Sequence, residues 1–184
     1  TQGVSCGASI VRELTWNDTM GTFISLPVPE VAAYRQTTLP LYKSPSAGVQ
    51  LRAGVKLALV DATANASAAD AELLFVLAPG TGAVNISVGV LGGAVEIVLQ
   101  VSASSAKRNG GRTVIMPVPS SASSAQHARV HASFCLLEGE AEQGVPLRLL
   151  VDGVLVEAFA GWGRGVASVV SSSPATAGGA TPSL

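Results

Sequence analysis

The sequence predicts an all-β fold: a two-sheet antiparallel β-sandwich of about ten to twelve short strands. Three observations lead there. Apolar residues recur at a period of two in many separate segments. Glycine- and asparagine-containing turn signals separate those segments at intervals of about 8–12 residues. Helical periodicity is nearly absent. The 184 residues are 48% hydrophobic and only 12% charged, so the chain can build a core and is no disordered polymer.

The elements follow in order. Residues 1–10 are expected to end an inter-domain connection, 11–171 to form the sandwich and 172–184 to be a low-complexity tail of Ser, Ala, Gly, Pro and Thr. Residues 11–16 and 22–26 read as a strand pair punctuated by Asn17-Asp18 and Met20-Gly21. Residues 29–36 invite a helical turn, with Glu30 near its start where negative charge suits the helix dipole. Residues 49–60 and 71–78 read as strands apolar on both faces in places, suited to packing between two sheets or against a neighbouring domain.

Val84, Ile86, Val88 and Val90 alternate with Asn85, Ser87 and Gly89; Val95, Ile97, Leu99 and Val101 alternate with Glu96, Val98 and Gln100. Gly92-Gly93 between them reads as a two-residue hairpin turn. Residues 112–116, 130–136 and 166–170 are further strands. Residues 147–151 run through Asp152-Gly153 into 154–159, a hairpin for which Asp-Gly would supply a type I′ turn. Residues 102–106 and 120–125 are Ser/Ala-rich surface loops.

Charge and composition exclude several functions. Eleven basic against 12 acidic residues give a net charge of −1, so there is no basic field for nucleic acid or an anionic membrane surface. Two cysteines exclude a disulfide-dense scaffold and a four-cysteine zinc site. Residues 73–95 hold no charge, but Pro79-Gly80-Thr81-Gly82 breaks them into two strands rather than one membrane helix.

His127, His131 and Cys135 would stack on a helix, but the alternation makes this segment a strand. Four strand residues span about 13 Å, too far for neighbours to share one zinc ion. No metal and no cofactor are expected. Glu138, Glu140 and Glu142 read as a solvated acidic loop. Glu157, among apolar neighbours, is either outward-facing or paired, with Arg148 or Arg164 as partners. No Gly-x-Ser-x-Gly elbow and no phosphate-cradling loop is present, and residues 107–112 read as a basic β-turn.

Cys6 and Cys135 are candidates for a disulfide with each other or for free, buried thiols, and Cys6 also for pairing with a cysteine outside this chain. Asn17, Asn65 and Asn85 head Asn-x-Ser/Thr sequons, compatible with a secreted glycoprotein. Trp162, in Gly161-Trp162-Gly163-Arg164, is the one tryptophan in a loop suited to touching a sugar or a partner.

Three blocks carry a resemblance. Residues 146–159, Pro-Leu-Arg-Leu-Leu-Val-Asp-Gly-Val-Leu-Val-Glu-Ala-Phe, with Gly163-Arg164 after them, resemble the closing motif of glycoside hydrolase family 32. Arg12-Glu13-Leu14, followed by Pro27-Val28-Pro29-Glu30-Val31 and Tyr34-Arg35, resembles the stretch where that family's propeller hands over to its sandwich. Ala69-Asp70-Ala71-Glu72-Leu73 resembles the start of one of its central strands. Order and spacing agree over residues 8–171. Val11 stands where the family usually has proline, and Gly153-Val154 replaces its usual polar pair.

The family contains invertases, inulinases, levanases and fructosyltransferases. Its nucleophilic Asp, transition-state-stabilising Asp and acid/base Glu belong to an N-terminal five-bladed propeller, whose motifs this sequence lacks. The resemblance therefore implies an accessory sandwich with no catalytic residue of its own. It would be a fragment or small subunit of a secreted fructoside-processing enzyme, with the propeller as its partner. Glu30, Arg35, Asp152, Glu157, Phe159 and Arg164 match motif positions and imply structural or domain-boundary roles. A missing partner predicts an exposed apolar patch of more than a few hundred Å². The alternatives are a free-standing carbohydrate-binding module and a protein-interaction or adhesive sandwich.

Overall fold

The computed structural model describes residues 9–34, 50–55, 68–101, 112–119 and 132–171. Ten strands lie among them: β1 (Arg12–Asn17), β2 (Thr22–Pro27), β3 (Ala68–Phe75), β4 (Val84–Val90), β5 (Val95–Val101), β6 (Arg112–Pro119), β7 (Ala132–Cys135), β8 (Val145–Asp152), β9 (Leu155–Ala160) and β10 (Gly165–Val170). A single helical turn, α1 (Glu140–Gln143), precedes β8. The all-β class stands.

Two four-stranded antiparallel sheets form the sandwich, in the orders β10-β9-β8-β3 and β4-β5-β6-β7. The period of two explains the packing. In β5, Val95, Ile97, Leu99 and Val101 turn inward and are buried. From the facing sheet come Val145, Leu147, Leu149 and Val151 of β8, with Val156, Ala158 and Ala160 of β9. Together with Ile115 and Phe134 they make one core shared by both sheets. Burying each large aliphatic side chain contributes about 1.5–3 kcal/mol. The chain changes sheet twice, through the turn at Pro79-Gly80 and through 136–144.

β1 and β2 form a separate two-stranded hairpin, with Arg12 opposite Pro27, Leu14 opposite Ser25 and Trp16 opposite Phe23. Asn17 shapes its turn: Oδ1 accepts the Met20 amide at 2.9 Å, and the carbonyl accepts the Gly21 amide at 2.8 Å.

Residues Pro29–Ala66 make a compact unit of their own. Pro29–Tyr34 is a 3-10 helix, as the helical turn at Glu30 predicts. Residues 50–55 are not the expected strand: they turn at Ala53-Gly54, where the Val55 amide donates to the Arg52 carbonyl at 3.1 Å. Apolar content alone misleads there, because Gly54 takes a left-handed φ of 78° that ends any extended run.

Two hairpin turns differ from expectation. β4 and β5 are joined by four residues, not two: Val90 pairs with Val95, and Leu91–Gly93 form a 3-10 turn closed by Ala94 N–H donating to the Leu91 carbonyl. At β8–β9, Asp152 is still paired, opposite Leu155, so the turn residues are Gly153 and Val154. Only Gly153 has a positive φ, 57°. That is the pattern of a type II′ turn with glycine first, not the type I′ turn that Asp-Gly predicts.

Candidate functional site

Each sheet of the sandwich has an outer face, and the two are built differently. Outside β4 and β5, Asn85, Ser87 and Gln100 meet solvent. Outside β8–β9–β10, Leu150, Glu157 and Phe159 are buried although they point away from the shared core. The N-terminal segment lies against Glu157 and Phe159. Arg12 Nη2 donates to Glu157 Oε1 and, at 2.8 Å, to Ser168 Oγ. Ser168 Oγ donates in turn to Glu157 Oε1 at 3.1 Å, and the Ile10 amide donates to Oε2 at 2.8 Å. The Arg12 guanidinium carbon lies 5.5 Å from the Phe159 ring centroid, within cation–π range. Glu157 is fully buried, at 0% exposure, and ionic contacts of this kind are what a buried carboxylate requires.

Beside it stands a second pair. Arg148 grips Asp70 bidentately, Nε to Oδ1 at 2.9 Å and Nη2 to Oδ2 at 2.7 Å. Glu72 is 3.9 Å from Arg148 Nε. In register, Arg148 sits opposite Phe159. Phe159 thus lies beside both arginines.

A third centre closes the end of the sandwich. Arg164 spends its whole fork: Nε donates to the Gly161 carbonyl at 2.7 Å, Nη1 to the Cys135 carbonyl at 2.7 Å and Nη2 to Glu140 Oε1. Glu140 Oε2 accepts the Leu137 amide at 2.8 Å. The guanidinium carbon lies 5.0 Å from the Phe134 ring centroid.

This corrects two readings of the carboxylates. Glu140 is not part of a solvated acidic loop; α1 turns it inward onto Arg164. Glu157 pairs with neither Arg148 nor Arg164, which are taken by Asp70 and Glu140, but with Arg12. Each of the two buried carboxylates among the described residues therefore holds an arginine.

Between Ala160 and Gly165 the loop 161–164 is pinned on several sides. The Gly161 amide donates to the Pro146 carbonyl at 3.0 Å, and the Ser25 amide donates to the Gly163 carbonyl at 3.0 Å. Gly161, Trp162 and Gly163 all take left-handed φ angles of 57°, 59° and 83°. Tryptophan in that conformation is strained by about 1–2 kcal/mol. Its indole is 59% exposed.

The hairpin adds more exposed apolar surface. Leu14, Trp16 and Phe23 lie on one face by register and are 63%, 53% and 57% exposed. Trp16 and Phe23 meet edge to face, with centroids 4.9 Å apart.

The remaining candidates are placed as follows. Glu30 is exposed in the first turn of its 3-10 helix. Asp152 is exposed at the end of β8. Asn17 is half-buried, Asn85 is exposed, and Cys135 is a free, exposed thiol. Arg35, Asn65, Cys6, His127 and His131, with residues 107–111, lie outside the described residues. Among the described residues no three His, Cys, Asp or Glu side chains are grouped to hold a metal ion, and no helix is long and apolar enough to cross a membrane.

Set against known proteins, the chain matches no family model, and no curated protein or solved structure shows significant similarity to it.

Proposed function

We propose that this chain is the non-catalytic accessory sandwich of a secreted fructoside-processing glycoside hydrolase, and that it stabilises a five-bladed catalytic propeller. The parent reaction would be retaining hydrolysis or transfer of β-fructofuranosyl units, as in sucrose or a fructan, through a covalent intermediate. One observation carries the reading. The blocks that resemble family 32 are distant in sequence yet paired in space. Arg12 of the hand-over block meets Glu157 of the closing block, and Asp70 of the strand block meets Arg148 of the closing block. Those motif residues act on one another, which gives them a structural reason to occur together without any catalytic role.

The hairpin supports the same reading. Leu14, Trp16 and Phe23 are exposed in and just after the block that resembles the hand-over to a propeller. We assign them as the contact surface for that domain. The test is native purification with an antibody against this chain. The expected result is a species of roughly 55–70 kDa, or a propeller chain that co-purifies, releasing fructose from sucrose or inulin. A native species near 18.5 kDa with no fructose release overturns the reading.

Trp162 favours a second reading, a carbohydrate-binding module, because its exposed indole is held on a pinned loop. Titration of the chain with inulin, followed by tryptophan fluorescence, decides it. A saturable change lost in Trp162→Ala supports sugar binding; an unchanged spectrum excludes it for that sugar.

A further inference from the structure

β4 is an edge strand: among the described residues it pairs only with β5. Its sequence is Val84-Asn85-Ile86-Ser87-Val88-Gly89-Val90, with no charge and no proline. Pairing with β5 is unbroken from Val84 opposite Val101 to Val90 opposite Val95, so no bulge twists it away. An uncharged, regular edge is a template for a strand of another chain, and proteins blunt such edges with charge, proline, brevity or a cover.

The other edges of the sandwich are blunted. β3 carries Asp70 and Glu72, β7 is four residues long, and β10 has the Arg12 guanidinium bonded to Ser168. Among the described residues, β4 has none of these devices.

It has a sequon instead. Val84, Ile86, Val88 and Val90 pack on the core, which turns Asn85 and Ser87 outward together, and both are exposed. The acceptor amide and its hydroxyl partner thus share the solvent face at the middle of the strand.

We propose that Asn85 carries an N-linked oligosaccharide and that this glycan guards the β4 edge against intermolecular strand pairing. The inference requires passage through a glycosylating secretory route, and it is independent of any catalytic propeller. The donor is a polyprenyl-diphosphate-linked oligosaccharide. Asn85 Nδ2 forms a bond to sugar C1, the C1–O bond to the diphosphate breaks, Nδ2 loses one proton, and polyprenyl diphosphate leaves. Nothing is oxidised or reduced. Transfer occurs on the nascent chain, before β4 pairs.

The experiment is secretion of the full chain from yeast, with release of glycans by an amidase in heavy-oxygen water and peptide mass mapping. Conversion of Asn85 to isotope-labelled Asp in most molecules is expected, and its loss in Ser87→Ala. Light scattering on the intact proteins reads the guard role. Ser87→Ala, and Asn85→Gln as a second unglycosylated variant, should show a several-fold larger oligomer fraction than the glycosylated chain. Asn85→Lys, which lacks the glycan but charges the edge, should stay monomeric. An unmodified Asn85 overturns the site. A modified Asn85 whose loss in both variants leaves the size distribution unchanged overturns the guard role.

Discussion

Arg12 and Glu157 stand 145 positions apart in sequence and share a hydrogen-bonded ion pair on the outer face of a sheet. The pair fastens the β1–β2 hairpin to the sandwich, because the Ile10 amide joins the same carboxylate.

Glu157→Ala should therefore destabilise the chain by about 2–3 kcal/mol. Breaking a fully buried pair costs about 3–5 kcal/mol, and the partial exposure of Arg12 moderates the loss. The double variant Arg12→Met/Glu157→Leu should recover part of it, since no charge is then left unpaired. Urea unfolding midpoints compare the two. Equal stability of Glu157→Ala and the parent chain would refute the clamp.

Arg164→Lys should behave as a drastic substitution. The guanidinium serves three acceptors in different directions, on Gly161, Cys135 and Glu140, and an ammonium on a flexible stem cannot match that fork. A loss of about 2–4 kcal/mol is expected, because Glu140 and two carbonyls lose charge-assisted bonds in a dry setting. Thermal unfolding of the single variant measures it.

Two glycines with the same φ of 57° should respond differently to alanine. At Gly153 no atom lies within 4 Å of an added Cβ, so Gly153→Ala costs only the left-handed backbone penalty, about 1–2 kcal/mol. At Gly161 an added Cβ would stand 2.3 Å from Phe134 Cε2, so Gly161→Ala adds overpacking of a further 1–3 kcal/mol or so. Denaturant curves run side by side should show that gap.

Trp162→Gly should leave stability within about 1 kcal/mol of the parent, because relief of the left-handed strain offsets the extra freedom of the unfolded chain. A large loss of stability would mean that the indole packs internally, contrary to its exposure.

Much of the fold was legible in the sequence for one physical reason: in β4, β5 and β8 the side-chain period is two and one face is buried, so apolar residues are forced to alternate. β9 was legible as a strand, but its buried Glu157 and Phe159 on the outer face were not explained by alternation. Their cover comes from residues 10–12, and nothing in local spacing encodes a contact across most of the chain. The resemblance marked Glu157, Phe159 and Arg164 without naming their partners. Glu140 escaped for a similar reason: α1 is too short to leave a periodic trace, so a carboxylate turned inward reads like its solvated neighbours. The β8–β9 hairpin was legible, but its turn falls one residue later than the Asp152-Gly153 dipeptide suggests and is of another type, because the register of Asp152 is set by the strands and not by the dipeptide.

The Arg12–Glu157 clamp also sets a clock. A ribosome adds about 5–20 residues per second, so the 145 positions between them take about 7–30 s to synthesise. Over that interval the receiving strand has not yet been made, so the hairpin cannot dock through Glu157. The clamp therefore belongs to the last stage of folding, after nearly the whole sandwich has been synthesised.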